Sequence, residues 1–285
     1  MTAGWVAGSV RARAMARRVL GTDQARRIAA CRSLAQAQGM LAATPFRAAA
    51  EPGLSLAAAQ HAVAGTILWD LRVLAGWLPP DGVSLLRLLA GWFEIANVDE
   101  LLRALAGQPA GSEFQLGALA TAWPRLSQAA SPAGLRQALA ASAWGDPGGE
   151  DSRAIRRELR ARWAARVTAS GGPAGAWATA AAALLRSGQP EAPASPPRPG
   201  RPRRSKPAPA APLPVRRESE PWQAEADWWR RVEAEGRTLL RSPGLDSDPV
   251  LGAVVVMAAD ARRAGAALAV AARGGQDMEA YDALA

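Results

Sequence analysis

The sequence predicts an all-α protein, and three observations support that fold class. Hydrophobic residues make up 49% of its 285 residues, so a packed interior is possible over most of the chain. Aromatic residues contribute only 5%, and the apolar remainder is mainly alanine and leucine, which favour helices, while the β-branched residues typical of strands are sparse. Apolar residues also recur at near-helical spacing, beginning with Trp5, Val6, Val10, Met15 and Val19.

The first two helices are predicted near the start of the chain. The first ends at Gly21, and Thr22 or Asp23 is expected to cap the start of the second. The second helix is predicted to continue as one element to a break near Thr44-Pro45, because proline disfavours helical backbone in the residue before it.

The third and fourth helices are predicted over residues 54–77 and 85–106. Between them, Pro79-Pro80-Asp81-Gly82 combines residues that favour turns, so a turn is expected there. Gly107 directly follows the fourth helix, in the position typical of a helix C-terminal cap.

A second helical block is predicted from residue 114 to about residue 185, with strongly helical stretches over 153–167 and 174–186. Residues 187–215 are rich in proline, alanine and arginine. Such a composition can hold no regular helix and can bury little surface, so a disordered or polyproline-like linker is expected.

The last block is predicted to contain helices near 224–240 and 249–273. Asp246-Ser247-Asp248 stands directly before Pro249. Acidic and hydroxyl side chains followed by proline are typical of a helix start, so this tripeptide is the expected N-terminal cap of the last helix.

Three of the predicted helices end in a Gly-Gln pair, and this recurrence suggests an internal repeat. The pairs begin at Gly107, Gly188 and Gly275, which stand 81 and 87 residues apart. We therefore predict three multi-helix units and one linker. Their predicted bounds are 1–110 for the first unit, 111–186 for the second, 187–220 for the linker and 221–285 for the third.

The formal charge of +9 raises the possibility of a nucleic-acid partner. Of the 34 basic residues only Lys206 is a lysine, which indicates the composition bias of a GC-rich genome. Residues 187–220 carry seven basic and three acidic side chains, so the helical remainder holds an excess of about five. A basic helical nucleic-acid-associated protein remains the alternative interpretation, although no recognition motif supports it.

Composition argues against most catalytic classes. Cys31 and His61 are each the only residue of their type, which excludes an internal disulfide and a thiolate metal cluster. The only lysine lies in the predicted linker, so a phosphate-binding loop is not expected. His61 is interpreted as a partly buried or surface histidine. We predict no catalytic residue, no cofactor and no metal.

Membrane contact is expected to be peripheral. The N-terminus lacks the apolar stretch of a signal peptide, because arginines interrupt it. The longest apolar candidate, residues 250–259, is too short to span a bilayer.

A specific pattern occurs within residues 92–107. Glu94 stands three positions before Asn97, and leucine-rich turns, the basic Arg103 and the terminal Gly107 follow. This pattern resembles the repeat helix of a known family, the central-stalk socket subunit of the V/A-type rotary ATPases found in archaea, bacteria and eukaryotes.

Two stretches near the start of the predicted units also resemble that family. Residues 10–15 are similar to its opening helix. Residues 114–119 are similar to the short apolar-Pro-Leu-Gly element that begins its second unit, with Gln115 in place of the usual proline.

The resemblance is weaker in the later units. The last helix, which contains Asp260, is similar to the last helix of the family, but Arg262 and Gly265 occupy the places of the acid and the asparagine. In the middle unit Gly175 and Ala178 occupy those places.

The resemblance implies three related helical-bundle units around a funnel-like hollow. It further implies a non-catalytic adaptor at the cytoplasmic face of the membrane, which couples the rotor shaft subunits to the membrane proteolipid ring in ATP-linked ion or proton transport. No direct contact with nucleic acid is implied. The residues with an expected structural part are Glu94, Asn97, Arg103, Gly107, Gly188, Asp260 and Gly275.

Glu94 and Asn97 are expected to share one helix face, because they stand three residues apart. Apolar residues flank them, so both side chains should be hydrogen-bonded if they are buried. In that case they would fix the register between units. The alternative function for Glu94 is that of a proton-handling carboxylate.

Overall fold

A computed structural model describes residues 2–187 and 221–284. Every regular element in these two ranges is helical, which confirms the all-α prediction. The helices are α1 (Ala3–Ala16), α2 (Thr22–Ala29), α3 (Leu34–Leu41), α4 (Leu56–Ala75), α5 (Pro80–Leu105), α6 (Trp123–Leu126), α7 (Pro132–Ala140), α8 (Ser152–Ala169), α9 (Gly172–Ser187), α10 (Pro221–Arg241), α11 (Ser247–Ala271) and α12 (Met278–Leu284). Short 3₁₀ turns span Arg47–Ala50 and Gly117–Leu119.

Helix α11 is the centre of the largest hydrophobic core. It packs against α1, α2, α3, α4 and α10. Seventeen of its 25 residues are buried, and they lie on every side of the helix. A helix that is apolar all round is typical of such a central position.

Helix α5 connects this main core to a second one. Leu86 and Ala90, in its first half, belong to the main core, whereas Ile95, Val98 and Leu102 pack with α6, α7 and α8. A third, smaller core joins α8, α9, α10 and α11. Helices of the predicted first and third units therefore share one core. The three-unit arrangement around a funnel, and its predicted boundaries, stay predictions.

Two local predictions were wrong. The single helix predicted between Thr22 and Thr44 is two helices, because Ser33 caps a new start by accepting a hydrogen bond from the Gln36 amide at 3.2 Å. The turn predicted at residues 79–82 is the first turn of α5, which begins at Pro80. Proline fits the first helical position because its missing N–H would have no partner there.

The predicted caps of α2 and α11 had different outcomes. At α2 neither Thr22 nor Asp23 is the cap, since Gly21 stands in that position without a side-chain hydrogen bond. At α11 the prediction is confirmed, because the Asp246 carboxylate accepts from the Asp248 amide at 3.0 Å. The short C-terminal helix α12 was not predicted.

Two of the three Gly-Gln glycines lie in the described residues, and both end a helix. Gly107 and Gly275 each have a φ of +69°, a left-handed conformation that favours glycine. Their surroundings differ, because a β-carbon at Gly275 would lie 2.3 Å from the Cys31 carbonyl oxygen, while one at Gly107 would have open space around it. Gly188 and the remainder of the predicted linker, to residue 220, lie outside the described residues.

This difference predicts unequal effects of alanine at the two helix ends. Gly107→Ala is expected to cost about 1 kcal/mol of unfolding free energy, the strain of a left-handed alanine. Gly275→Ala adds a backbone collision and is expected to cost about 2 kcal/mol. Urea unfolding followed by circular dichroism measures both variants. Equal losses of unfolding free energy would show that the backbone around residue 275 moves freely away from Cys31.

None of the helices within residues 2–187 and 221–284 is both long and apolar enough to cross a bilayer.

Candidate functional site

The first motif residue, Glu94, is fully buried in the second half of α5. Its Oε2 accepts from the Thr121 amide at 2.6 Å, and its Oε1 accepts from the Ala122 amide at 2.7 Å and from the Trp144 indole N–H at 2.7 Å. The two amides stand immediately before α6. Helix-start N–H groups lack partners within their own helix, and an anion is the acceptor that satisfies them best.

The second motif residue, Asn97, lies one turn further along α5 and is 1% exposed. Its side-chain amide donates to the Phe114 carbonyl at 2.8 Å, and its side-chain carbonyl accepts from the Phe114 amide at 2.6 Å. Glu94 and Asn97 therefore hold the two ends of segment 114–122. The structure brings together two stretches that the sequence resemblance had identified separately.

A buried acid on α11 makes the same kind of contact. Asp260 is 1% exposed, and its two oxygens accept from the amides of Leu20 at 2.7 Å and Gly21 at 2.9 Å, immediately before α2. Burial raises the pKa of Asp260, while the two backbone amides and Arg263 act in the opposite direction. A carboxylate on a long central helix thus accepts from a helix start twice in this fold.

In the sequence pattern of the last helix Arg262 stands at the place of the acid, and the acid that makes these contacts is Asp260, two positions earlier. The Arg262 guanidinium instead lies over the Trp229 ring, 5.6 Å from its centre. The partner of Asp260 is 240 residues away in sequence, so spacing along α11 could not reveal it.

The elements that follow α2 and α6 also correspond. Ser33 caps α3 and Ser131 caps α7, each by accepting an amide three residues on. At the far ends, the Thr44 hydroxyl donates to the Leu41 carbonyl and the Ser142 hydroxyl donates to the Leu139 carbonyl.

Each of those hydroxyls then accepts from the amide of a buried aromatic residue two positions later. The aromatic residue is Phe46 after α3 and Trp144 after α7, and both are 2% exposed. A long helix with a side-chain cap follows in both cases, α4 with Ser55 and α8 with Asp151. The two stretches therefore contain the same series of helices and caps, with chemically similar but different residues at the corresponding places.

A charged cluster next to Asp260 joins α10 to α11. The buried Arg263 guanidinium pairs with Glu233, which also accepts from Arg237 at 2.6 Å. Arg263 lies 3.9 Å from Asp260 as well. Buried charges are tolerated when they are paired in this way, so the cluster fixes α10 against the central helix.

Arg103 lies on the surface, away from these buried contacts. It pairs with Glu100 at 2.9 Å, and Glu100 also accepts from the Gly111 amide at 2.7 Å. The Arg103 side chain is 46% exposed, so this ion pair contributes little to stability.

His61 and Cys31 are placed as packing residues. The His61 ring stacks on Phe114 with centroids 4.0 Å apart, and burial lowers its pKa. The Cys31 thiol is buried, which raises its pKa. Across residues 2–187 and 221–284, no group of three histidine, cysteine, aspartate or glutamate side chains is arranged to hold a metal ion.

An open hollow of about 440 Å³ lies where the first turns of three helices meet. The helices are α5, α9 and α11, which come from the predicted first, second and third units respectively. Its lining includes Asp81 and Ser84 from α5, Pro173 from α9, and Asp248 from α11, with Trp5 at one side.

Asp70 on α4 is an acid whose environment opposes its charge. Burial raises the pKa of Asp70 to about 6, although Arg18 and Arg11 act in the opposite direction. Because the raised pKa means that the folded protein holds the Asp70 proton more tightly than the unfolded chain does, the protonated carboxyl group stabilises the fold. This stabilisation is lost as the pH rises from about 4 through about 6.

Asp70→Asn is therefore expected to raise the melting temperature at pH 7 by a few degrees and to have no effect at pH 4. The control is Asp146→Asn, because hydrogen bonds from Arg136 and Gly148 lower the pKa of Asp146 to about 2 and give the opposite sign. Thermal unfolding at the two pH values measures both variants. A stabilisation by Asp70→Asn that is the same at pH 4 and pH 7 would contradict the electrostatic origin.

No protein-family model matches the chain, and no curated protein matches it.

Proposed function

We propose that this protein is a non-catalytic adaptor, which couples the central rotor shaft of a V/A-type rotary ATPase to its membrane ring. The observation that carries the proposal is the contact of Glu94 and Asn97 with segment 114–122. Residues 92–107 and 114–119 resemble elements of the socket subunit, and the two bonds between Asn97 and Phe114 join these stretches directly.

A second observation supports the proposal. Asp260 repeats the carboxylate-to-helix-start contact on α11, as expected of a protein built from related units. The hollow between the first turns of α5, α9 and α11 is the proposed receiving end for the shaft tip, because one helix from each predicted unit contributes to it.

The mechanism that we propose is mechanical. A part that transmits torque must not let its helices slide past one another. Close packing resists such sliding. Buried hydrogen bonds between distant segments resist it further, because the segments cannot shift without breaking these bonds. The bonds of Glu94 join segments 27 and 28 residues apart, and those of Asp260 join segments 240 and 239 residues apart. ATP chemistry and ion movement belong to other subunits.

Co-purification tests this function. The tagged full-length chain, expressed in its own host and extracted from membranes with a mild detergent, is expected to retain the shaft subunits and the proteolipid ring in a fixed ratio. Recovery of neither component contradicts the proposal. Tight, salt-dependent binding of DNA or RNA by a variant lacking residues 187–220 would favour the nucleic-acid alternative instead.

A further inference from the structure

Two tryptophans are exposed near the end of α4. Trp69 lies within the helix and Trp77 lies in the turn after its last residue, Ala75, and they keep 58% and 51% of their surface exposed. Val73 stands one turn after Trp69, on the same side of α4. Large aromatic side chains that remain exposed together are typical of protein interaction sites.

A groove lies at the foot of Trp69. It has a volume of about 250 Å³ and is lined by α4 and by the 3₁₀ turn Gly117–Leu119. The lining residues are Trp69, Arg72, Val73, Ala75, Ala118 and Leu119. Most of this lining is apolar, and the space is large enough to accept an aliphatic side chain.

The walls of the groove are held in place from both sides. The Arg72 guanidinium lies 5.4 Å from the centre of the Trp69 ring and donates to the Gln115 carbonyl at 3.2 Å. From α5, Arg87 donates to the Ala118 carbonyl at 3.2 Å. A surface that is already ordered loses less entropy when a partner binds.

The surroundings of the groove are basic. Arg72 and Arg87 flank it, and Arg11 of α1 and Arg18, two residues after α1, lie close enough to act on Asp70 of α4. Two acids offset these charges. Asp70 is one of them and is partly buried, and the other is the exposed Glu113, which accepts a hydrogen bond from Gln115. The excess of arginine favours a partner with carboxylates around its apolar residues.

We propose that this face binds an acidic amphipathic helix of a partner protein. We call it the Trp69 face and define it as Trp69, Val73, Ala118 and Leu119. An apolar side chain of the partner fills the groove, and its carboxylates lie near Arg72 and Arg87. A helix fits because the groove runs along one face of α4, lined by Trp69, Arg72 and Val73, and a second helix can lie beside it. The site does not depend on the adaptor function.

A concave site distinguishes a protein partner from a membrane surface. A bilayer would contact the exposed edges of Trp69 and Trp77 but would leave the groove beside them unfilled. A helix that inserts one side chain uses both features, so the groove favours a peptide ligand.

Peptide selection on the full-length protein tests the proposal. A library of random peptides, each about four helical turns long, is selected on three targets: the wild type, Trp69→Ala and Trp92→Ala. Trp92 is the matched control, since it is 47% exposed and has Arg160 over its ring at 5.5 Å, but it lies on α5. Circular dichroism checks that both variants keep the wild-type helix content.

The wild type and Trp92→Ala are expected to enrich the same acidic peptides with apolar residues at helical spacing. Their affinity should fall as salt is added and should fall roughly thirtyfold on Trp69→Ala, the loss typical of a central tryptophan. Enriched peptides that are neutral or basic, or that bind both variants equally, would overturn the proposal. Sedimentation with phosphatidylserine vesicles that depends on Trp69, in place of peptide binding, would identify a lipid surface and would also overturn it.

Discussion

Glu94→Ala is expected to destabilise the protein by about 4 kcal/mol, the largest effect of any single substitution proposed. The substitution leaves three donors without an acceptor inside the second core: the amides of Thr121 and Ala122 and the indole of Trp144. Each buried donor without a partner costs about 1–3 kcal/mol, and the vacated space adds to the loss. Urea unfolding followed by tryptophan fluorescence measures the change.

The control for Glu94 is Glu113→Ala. Glu113 is exposed and contacts only the Gln115 side chain among the described hydrogen bonds, so its loss should cost less than about 1 kcal/mol. Hydrogen exchange adds a local measurement, since the amides of Thr121 and Ala122 should lose protection in Glu94→Ala. Similar unfolding free energies for the two variants would show that Glu94 does not hold α6 in place.

Asp260→Ala is expected to destabilise the protein by about 3 kcal/mol. The amides of Leu20 and Gly21 lose their acceptor at the start of α2, which has no side-chain cap of its own. Arg263 keeps its pairing with Glu233, so fewer groups lose a partner than at Glu94. The site lies in the main core, and both α2 and the segment that joins it to α1 should therefore loosen.

Asp282→Ala is the matched control for Asp260. Asp282 pairs with Arg26 at 2.9 Å, but both side chains are largely exposed, and such surface pairs contribute about 0–1 kcal/mol. Asp260→Asn keeps one acceptor and should retain part of the stability. Thermal and urea unfolding compare the three variants, and a loss at Asp260 no larger than that at Asp282 would contradict the structural importance of the α11 carboxylate.

Local signals in the sequence were sufficient for several elements. Helix α8 and the glycine end of α5 follow from composition and from the residues next to them, and so does the Asp246 cap of α11. These features depend on contacts within a few residues, which a sequence pattern records directly.

Contacts between distant segments could not be predicted in the same way. The acceptor for the start of α2 is Asp260, and nothing near Thr22 indicates an acid 240 residues away. The correspondence of α3 with α7 was missed because equivalent places hold Thr44 and Ser142, and then Phe46 and Trp144. These pairs share hydrogen-bond chemistry or aromatic bulk, and comparison by residue identity does not detect them.

The sequence contained a signal for the central position of α11, although it was considered only as a membrane-span candidate. Residues 250–259 are continuously apolar, and this stretch is too short to span a membrane. A helix that is apolar on all sides and too short for a bilayer is expected at the centre of a protein core. The same residues therefore indicate that α11, in the last block, packs at the centre of a core formed with helices of the first block.

Ion uptake by membrane vesicles tests the adaptor function most directly. Vesicles prepared from cells that lack this gene are expected to hydrolyse ATP but to accumulate no ions, because the shaft would turn without driving the ring. Expression of the wild-type chain should restore uptake. ATP-driven uptake that continues at the normal rate in the absence of the protein would contradict the proposed coupling.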